Sequence, residues 1–542
     1  MEERTKRIKK AVSVLILVGL VVFALTAIGG NLEPTAPPGP TMKTLAEVEP
    51  RTPVQSLAGD ANSLYVISQP GSYYLTGNIT GEPNKCGIRI EANNVTVDLM
   101  GFSLIGVPGS LDGFCVQYRE TDEPLPIEEV PFSFSIRNGT ICNWGGNGID
   151  AYDMFLKIEG AVVEGKILVH SNSELLNVSA NSNGEMGFSG RNCCAHMEDV
   201  SFCKNGGSGI DAYNGFITIE NVEASHNDAN GIDAYDMFLQ IDGLSARNNT
   251  VHGLAVDGNS CCHMEDVAFT YNGGDGMHIL GMMTNVDAYS GYASSNGGNG
   301  MYVNTTGESY VHMEQVSFNS NDANGVVILG MMTNVDAYST TTGHNGGNGM
   351  YVNTTGESCV HMEQVSFNGN DANGVVILGM MTNVDAYSTT TGYNGGCGII
   401  INGGGNLNQC TVVENGGNGI QAGSGSTVRN CSARGNIGNG IVVSSNCQVV
   451  GNTCETNGVD VISTNNPAGI RATGGANRIE SNHVVGNNVG IDIDAAGNLI
   501  IRNSACGNTT TNYELAADNI AGPTVGSSDI VSSSNPHANY EY

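Results

Sequence analysis

The feature of the sequence that most constrains its fold is a tandem duplication. Residues 301–349 and 350–398 carry the same 49-residue unit, and the two copies differ at only four pairs of positions: Tyr310/Cys359, Ser320/Gly369, His344/Tyr393 and Asn348/Cys397. A chain that repeats itself so closely builds its structure by stacking copies of one unit, not by folding a single globular core. The residues within one unit therefore determine the fold of the whole repeat region.

A shorter period runs through this unit and beyond it. It is an Asn-rich turn that closes on Gly and leads into an apolar strand, as in NGGNGMYV and NDANGVVIL. The glycines that open these strands are spaced by 21–25 residues, with one step of 29 after Gly440: Gly187, Gly209, Gly231, Gly253, Gly276, Gly300, Gly325, Gly349, Gly374, Gly398, Gly419, Gly440, Gly469 and Gly490. A period of this size is typical of a solenoid.

The residues inside each period indicate strands. Runs such as GIDAY and LQIDGL are too short for helices and alternate apolar with polar side chains. Gly and Asn at the corners are expected to supply the positive φ that tight bends need. The sequence therefore predicts an all-β fold, a parallel β-helix solenoid with coils of about 21–25 residues and alternate side chains inside and outside.

Composition excludes several classes of partner. The formal net charge of the 542 residues is −32, and there is no Lys or Arg from Asn248 to Val428. Nucleic acids and anionic membranes require basic patches, and uronate or sulfate polymers favour bidentate arginines. We therefore expect no nucleic-acid partner, and cations or neutral surfaces instead.

The N-terminus has the pattern of an export signal. Five basic residues, Arg4, Lys6, Arg7, Lys9 and Lys10, precede an apolar run at residues 11–28. This run lies between a long signal-peptide core and a short membrane span, and its basic flank predicts a cytoplasmic start. We favour an uncleaved hydrophobic helix that tethers the chain to the inner membrane over a cleaved signal peptide. The remainder is then exported, and is periplasmic, on the cell surface or secreted.

These features divide the chain into five parts. Residues 1–30 form the signal, 31–53 a Pro-rich linker, 54–140 an N-terminal cap with the first coils, 141–505 the repeats and 506–542 a C-terminal cap. Caps are expected because the open ends of a solenoid expose unpaired strands. Residues 111–131, which include the acidic run from Glu120 to Glu129, are expected to leave the first coils as a loop, and such loops often carry function.

The stretch from Gly71 to Gly106, the repeated N-x-x-N-G-I/V steps and the C-terminal segment from Asn535 to Tyr542 resemble secreted bacterial right-handed parallel β-helix repeat proteins. The resemblance covers roughly Pro53 to the end. It implies the pectate-lyase-like fold and its right-handed coil. Members of that family include polysaccharide lyases, hydrolases and epimerases, and the periplasmic NosD-type copper-site proteins. Likeness of fold does not transfer function.

Catalytic motifs of that family are absent. The NTD, DD and GHG motifs of polygalacturonases and the YGFDPH-like stretch of alginate epimerases are not found. An enzyme would need a cleft near the acidic excursion, for which Arg119, Arg137 and Trp144 are the available residues. The motif search therefore disfavours an enzyme.

Counting back from the strand-opening glycines predicts two outward rows. The first alternates imidazole with carboxylate, His263, Asp287, His312, Asp336, His361 and Asp385, and the second reads Glu265, Tyr289, Glu314, Tyr338, Glu363 and Tyr387. The row that contains Val286 and Val311 directly precedes the first outward row and is expected to face inward, and the Met264/Ala288 alternation falls between the two outward rows, also facing inward. The first row is a candidate site for Ca²⁺ or another divalent cation. Cross-strand pairing that avoids stacking like charges is the simpler interpretation and is favoured.

Asp211 and Asp233 are expected to lie in adjacent coils, together with Tyr213 and Tyr235. Two carboxylates one strand apart are a candidate acid and base pair, or a calcium site. An open face without a flanking arginine or cleft favours a polar ladder produced by repetition. Fifteen cysteines follow the coil period, and Cys410 and Cys431 occupy equivalent positions, which predicts an inward ladder of thiols.

The sequence favours an exported β-helix protein of the cell envelope or exterior that binds polysaccharide or has a structural role. Two alternatives remain open. One is a polysaccharide-active enzyme, a lyase, hydrolase or epimerase, with Asp211 and Asp233 as weak candidates for catalysis. The other is a metal-handling periplasmic protein resembling NosD.

Overall fold

A computed structural model describes residues 50–116, 132–151, 154–282, 284–459 and 466–542. Thr52–Tyr542 forms one compact unit, and its strands pair in parallel with the next coil along the chain, as Met301 does with Val326 and Met350 with Val375. The predicted all-β parallel solenoid is confirmed. Within the described ranges the one helix is a single 3-10 turn, Val54–Ser56.

Each coil contributes to three parallel sheets, here named A, B and C in the order in which a coil enters them. Strands confined to sheet A, which follows the strand-opening glycine, are Ser63–Ile67, Cys86–Ile90, Phe114–Val116, Ile149–Ala151, Ile167–Val169, Phe188–Arg191, Leu254–Asp257, Met277–Gly281, Ile399–Ile401, Ile420–Ala422, Ile441–Val443, Ala468–Ala472, Val489–Ile493 and Thr511–Leu515. Those confined to sheet B are Thr52–Pro53, Gly71–Tyr74, Val95–Asp98, Ser173–Leu176, Cys194–Glu198, Asn285–Tyr289, Gly405–Asn408, Thr427–Arg429, Gln448–Val450, Arg478–Glu480, Leu499–Ile501 and Ile520–Ala521.

Strands confined to sheet C are Ile79–Thr80, Ser103–Ile105, Tyr292–Ser294, Ser317–Asn319, Thr341–Gly343, Ser366–Asn368, Thr390–Gly392, Thr411–Val413, Ser432–Arg434, Thr453–Glu455, His483–Val485, Ser504–Cys506, Thr524–Gly526 and Asn539–Glu541. Longer strands cross from one sheet to the next: Met301–Glu314, Val326–Tyr338, Met350–Glu363 and Val375–Tyr387 join A to B, Phe132–Cys142, Met154–Val163 and Cys261–Thr270 join B to C, and Ile210–Glu223 and Ile232–Arg247 run through all three.

Alternation of large and small side chains fills the core. Met264, Ala288, Met313 and Ala337 are neighbours in sheet B and are all fully buried. Such alternation lets successive coils interdigitate at the density of a protein interior. The predicted inward position of these residues is confirmed.

The corner before each strand of sheet A is held by a ladder of buried asparagines. From Asn272 to Asn370, each side-chain amide donates to the Oδ1 of the asparagine in the next coil at 2.9–3.0 Å. Each backbone N–H makes a further bond to the same Oδ1. The ladder thus satisfies polar groups that a buried corner would otherwise leave unpaired.

The strand-opening glycines have a different role from the one expected. None of them has a positive φ; that conformation belongs to residues such as Ser295 and Ser320, which precede the ladder asparagine. A Cβ on Gly300 would lie 2.6 Å from the carbonyl oxygen of Gly325. Glycine is required there because backbones of adjacent coils approach too closely for a side chain.

The two ends of the stack differ from each other. Ser63 pairs with Cys86 and Gly71 with Val95, so parallel coils begin within residues 54–140, where a cap and the first coils are expected. At the C-terminus, Ser504 pairs with Tyr540, and Tyr513 donates to the Tyr540 carbonyl at 3.0 Å. No helix within the described residues is long and apolar enough to cross a bilayer. The predicted N-terminal helix and the acidic run at Glu120 to Glu129 lie outside the described residues.

Candidate functional site

Strand pairing places the predicted outer rows on sheet B in the expected register. His263 pairs with Asp287, Asp287 with His312, and the alternation continues through Asp336 and His361 to Asp385. Two residues further on, Glu265, Tyr289, Glu314, Tyr338, Glu363 and Tyr387 pair in the same way. We refer to the outward surface formed by these two rows as the sheet B face.

Aromatic rings form a continuous zigzag on the sheet B face. The ring centroids of His263 and Tyr289 are 5.4 Å apart, those of Tyr289 and His312 5.1 Å, those of His312 and Tyr338 5.6 Å, and those of Tyr338 and His361 5.2 Å. Every pair is tilted by 45–51°. These tilted contacts place five rings side by side along the face.

Carboxylates occupy the remaining positions of both rows. They approach the imidazoles in pairs, at 4.0 Å between His263 and Asp287 and at 3.7 Å between His361 and Asp385. Tyr310 donates to Oδ2 of Asp336 at 2.7 Å. Among the described residues, the rows bring together pairs of candidate ligands and not groups of three within 4.8 Å. Cation binding by this row stays a prediction.

The electrostatic environment of the sheet B face is negative. Burial, with the carboxylates of Asp287 and Glu314, raises the pKa of the Tyr289 hydroxyl, and burial with Asp336 and Glu363 does the same for the pKa of Tyr338. Since the sequence offers no Lys or Arg between Asn248 and Val428, nothing cationic except a protonated histidine can balance these carboxylates within that stretch. An anionic polymer would be repelled here.

A shallow recess opens on this surface. It has a volume of about 260 Å³ and is lined by His263, Glu265, Tyr289, Ser290, Glu314 and Gln315. Its walls combine the rings of His263 and Tyr289 with hydrogen-bonding groups that both accept and donate.

Asp211 and Asp233 are paired on sheet A as expected. Tyr213 and Tyr235 stack beside them with centroids 4.9 Å apart and planes 5° apart, so the rings cover each other's faces. Burial and the Asp233 carboxylate raise the pKa of Asp211. Contrary to the expectation of no flanking arginine, Arg191 pairs with Tyr213 and lies in the coil before Asp211. Sequence counting could have found it, because Arg191 precedes Tyr213 by the 22-residue step.

A second row, at the corner next to sheet A, was missed by sequence reasoning. It consists of the residue immediately before each strand-opening glycine from Gly231 to Gly440: Asn230, His252, Asp275, Asn299, Asn324, Asn348, Asn373, Cys397, Asn418 and Asn439. Each accepts the backbone N–H of the next member, as Asn299 does from Asn324 at 3.0 Å. Reading this column of the repeat would have revealed that His and Asp replace Asn in two adjacent coils.

His252, Asp275 and His278 form the one group of three metal-type ligands found within 4.8 Å of each other in the described chain. The Nδ1 atom of His252 accepts the backbone N–H of Asp275 at 2.8 Å, which leaves the proton on Nε2 and no lone pair for a metal. Nδ1 of His278 lies 2.6 Å from Oδ2 of Asp275. Without rearrangement the group therefore offers fewer than three ligands, which is a poor transition-metal site.

Two of the three residues that an enzyme cleft was expected to use, Trp144 and Arg137, make structural contacts. Trp144 is buried, and its indole Nε1 donates to the carbonyl of Leu104 at 3.1 Å. Arg137 is bound to Asp98 at 3.1 Å, and Arg119 lies outside the described residues. A depression of about 380 Å³ beside Trp144 contains Lys166, whose amine is paired with Glu185 at 2.8 Å. These groups are already engaged with the fold.

Cys410 and Cys431 lie inside the coils, as the predicted ladder of thiols requires. Cys410, Cys431, Cys447 and Cys454 are buried, and all of them are free. Sγ of Cys431 lies 3.2 Å from the carbonyl oxygen of Arg429. These cysteines contribute to the core and are not available for surface chemistry.

Comparison with known proteins gives no family for this chain. No protein-family model matches it, and none of the curated proteins matches it. Similar solved structures include the A-module of the mannuronan C-5 epimerase AlgE4 of Azotobacter vinelandii, 12% identical, covering 84% of this chain and 91% of that chain with a TM-score of 0.21. The A-module of the AlgE6 epimerase of the same organism is 14% identical over 84% and 91%, with a TM-score of 0.15. PfbA, a surface adhesin of Streptococcus pneumoniae, is 7% identical over 71% and 92%, with a TM-score of 0.20. Likenesses at this level carry no argument about function.

Proposed function

We propose that the protein is an exported solenoid that binds a polysaccharide along the sheet B face. The observation that carries this proposal is the zigzag of five tilted rings, His263, Tyr289, His312, Tyr338 and His361, on an open face that continues from coil to coil. A repeating linear surface fits a repeating linear ligand.

The chemistry of the face favours a polysaccharide over other linear polymers. Ring edges and phenol groups contact the apolar and hydroxylated sides of sugar rings, while carboxylates and imidazoles accept and donate hydrogen bonds to hydroxyls. The pattern of side chains repeats every two coils, which is about 10 Å at the spacing of paired strands. That distance is close to the length of an extended disaccharide. The carboxylates favour a neutral or amine-bearing polymer over a uronate or sulfate polymer.

Retention on immobilised polysaccharides tests the proposal. The full chain is passed over a panel of neutral, amine-bearing and acidic polymers, together with the double variant Tyr289→Ala/Tyr338→Ala and the control Tyr393→Ala. Tyr393 is 63% exposed and lies at a corner away from the two rows, so its loss removes an exposed ring but not the zigzag. The proposal expects retention of the native chain and the control, and loss of retention in the double variant.

Two results would overturn the proposal. One is the absence of retention on every polymer, and the other is equal retention of the double variant and the native chain. The same incubations, analysed for new reducing ends and for absorbance of unsaturated products, test the enzyme alternative. Turnover that depends on Asp211 and Asp233 would replace the binding function by catalysis.

A further inference from the structure

The corner row of sheet A has a residue other than asparagine at three positions, namely Cys397 and, in two adjacent coils, His252 and Asp275. Asparagine serves as the acceptor for the next coil at Asn230, Asn299, Asn324, Asn348, Asn373, Asn418 and Asn439, so the architecture of the corner does not call for His252 or Asp275. His252 and Asp275 nevertheless accept the backbone N–H of the next coil, as the asparagines of this row do. The backbone N–H of Asp275 donates to Nδ1 of His252, and that of Asn299 donates to Oδ1 of Asp275. The ladder does not use Nε2 of His252 or Oδ2 of Asp275, and Oδ2 of Asp275 contacts Nδ1 of His278 instead.

The hydrogen bonds assign the tautomers of two imidazoles. Since Nδ1 of His252 accepts a backbone N–H, the neutral ring carries its proton on Nε2 and donates from there. His278 has the opposite assignment. Its Nδ1 donates to Oδ2 of Asp275 at 2.6 Å, so the neutral ring has a free lone pair on Nε2. The two rings thus offer one donor and one acceptor.

The position of both rings is fixed before any ligand arrives. They stack on each other with centroids 4.3 Å apart and planes 18° apart, and His278 stacks in turn on Tyr302 at 5.0 Å. Asp275 is held by the side-chain amide of Asn299 at 2.9 Å, which prevents it from turning away from His278. Ligand binding at such a site costs little conformational entropy.

The site is accessible and has space on one side. His252 and His278 keep 20% and 26% of their side-chain area exposed, whereas Asp275 is almost completely buried. In the outward row of sheet A, the short side chain of Ala255 lies between the longer side chains of Asp233 and His278, and we call this position the notch. The carboxylate of Asp233 borders the notch on one side, and the imidazole of His278 borders it on the other.

We propose that His252 and His278 bind a pair of hydroxyl groups on an uncharged saccharide, with Asp275 as the positioning residue that sets the tautomer of His278. A hydroxyl group both donates and accepts, so neighbouring hydroxyls match one fixed donor and one fixed acceptor. The inference rests on the proposed function for the carbohydrate class of the ligand. The site itself lies on sheet A and is separate from the rings of the sheet B face.

Selective ¹⁵N labelling of the 11 histidines and two-bond ¹H–¹⁵N spectra at pH 8 test the tautomers directly. The native chain is expected to show His252 protonated on Nε2 and His278 protonated on Nδ1. The variant Asp275→Asn keeps the acceptor for Asn299, as at the neighbouring coils, but presents an amide N–H to His278. That change inverts the tautomer of His278 without removing the ladder bond. A native His278 that carries its proton on Nε2, or an unchanged tautomer in the variant, would overturn the assignment.

Binding is measured with cellohexaose, maltohexaose and mannohexaose as probes. The proposal expects the signals of His252 and His278 to shift with at least one of them, and the affinity to fall about tenfold in Asp275→Asn because one acceptor becomes a donor. His252→Asn, which also keeps the ladder, serves as the second variant and is expected to weaken binding similarly. Failure of all three hexasaccharides to shift either histidine would overturn the inference.

The two proposals fail in distinguishable ways. Retention that is lost in Tyr289→Ala/Tyr338→Ala but unchanged in Asp275→Asn and His252→Asn would leave the sheet B face as the binding surface and eliminate the sheet A site. Retention lost in none of these variants would eliminate both.

Discussion

Replacing one asparagine of the buried ladder with alanine should lower the stability of its coil far more than the same replacement in the corner row. Asn345 is fully buried. Its Oδ1 accepts the backbone N–H and the side-chain amide of Asn321, each at 3.0 Å, and its own amide donates to the carbonyl of Phe318 at 2.9 Å. Asn345→Ala leaves these three buried groups without that partner.

The expected magnitude follows from these bonds. A buried polar group that loses its partner costs about 1–3 kcal/mol, and partial relaxation brings the total for three groups to roughly 4 kcal/mol. At 1.4 kcal/mol for each factor of ten, the local opening of the coil should become roughly a thousandfold more frequent. The loss stays local because each coil of a solenoid contacts only its neighbours.

The matched control is Asn324→Ala, in the corner row. Asn324 accepts the backbone N–H of Asn348 at 2.7 Å and its side-chain amide at 3.0 Å, but it is only partly buried. Water can replace those bonds, so we expect a cost of about 1 kcal/mol. Hydrogen exchange followed by mass spectrometry reports both changes on the peptides around residues 317–345. Equal loss of protection in the two variants would refute the argument that burial makes the inner ladder the stronger one.

Three further predictions concern protonation and access. Burial and Asp112 raise the pKa of Asp150 to about 6, so the folded state holds this proton more tightly than the unfolded state. Stability is therefore lost as the pH rises through 6. Asp150→Asn should raise the melting temperature at pH 7.5 and should lose this advantage below pH 4. Burial and the neighbouring imidazole of His278 lower the pKa of His252 below its value in the unfolded chain. The stability that neutral His252 contributes is therefore present at pH 7 and is lost as the pH falls below the pKa of the unfolded chain. The melting temperature of His252→Asn should not show this loss of stability at acidic pH. Iodoacetamide applied to the native chain should modify the exposed Cys194 and Cys359 and spare Cys454, as peptide mass analysis would show; rapid modification of Cys454 would contradict its inward position.

The periodic part of the fold could be predicted from the sequence because the spacing of the repeats determines which residues pair in adjacent coils. Once the strand-opening glycines are aligned, a fixed offset places His312 beside Asp336 and Val311 inside, and no knowledge of long-range contacts is needed. The duplicated unit makes this alignment unambiguous. The register of Asp211 with Asp233 follows from the same counting.

Two kinds of feature could not be predicted from strand alternation alone. One is the close approach of the backbones of adjacent coils, and the other is a change of residue type at a single position of the repeat. The sequence pattern predicts a positive φ at Gly300, whereas glycine is required there because the carbonyl of the next coil lies too close for a side chain. The strands near Gly71 lack the regular spacing of the later coils, yet they pair in the same sheets, because hydrogen bonding between coils tolerates corners of different length. His252 and Asp275 lie in the corner column of the repeat, which the alternation of outward strand positions does not reach.

The measurement that tests the central claim most directly is hydrogen exchange of the full chain. It is carried out with and without the polysaccharide on which the protein is best retained. A polymer lying along the sheet B face should slow exchange in successive coils, in the peptides that contain Tyr289, Tyr338 and Tyr387, and leave peptides of sheet C unchanged. Protection confined to one end of the solenoid, or absent from all three tyrosine peptides while the polymer is bound, would contradict the account.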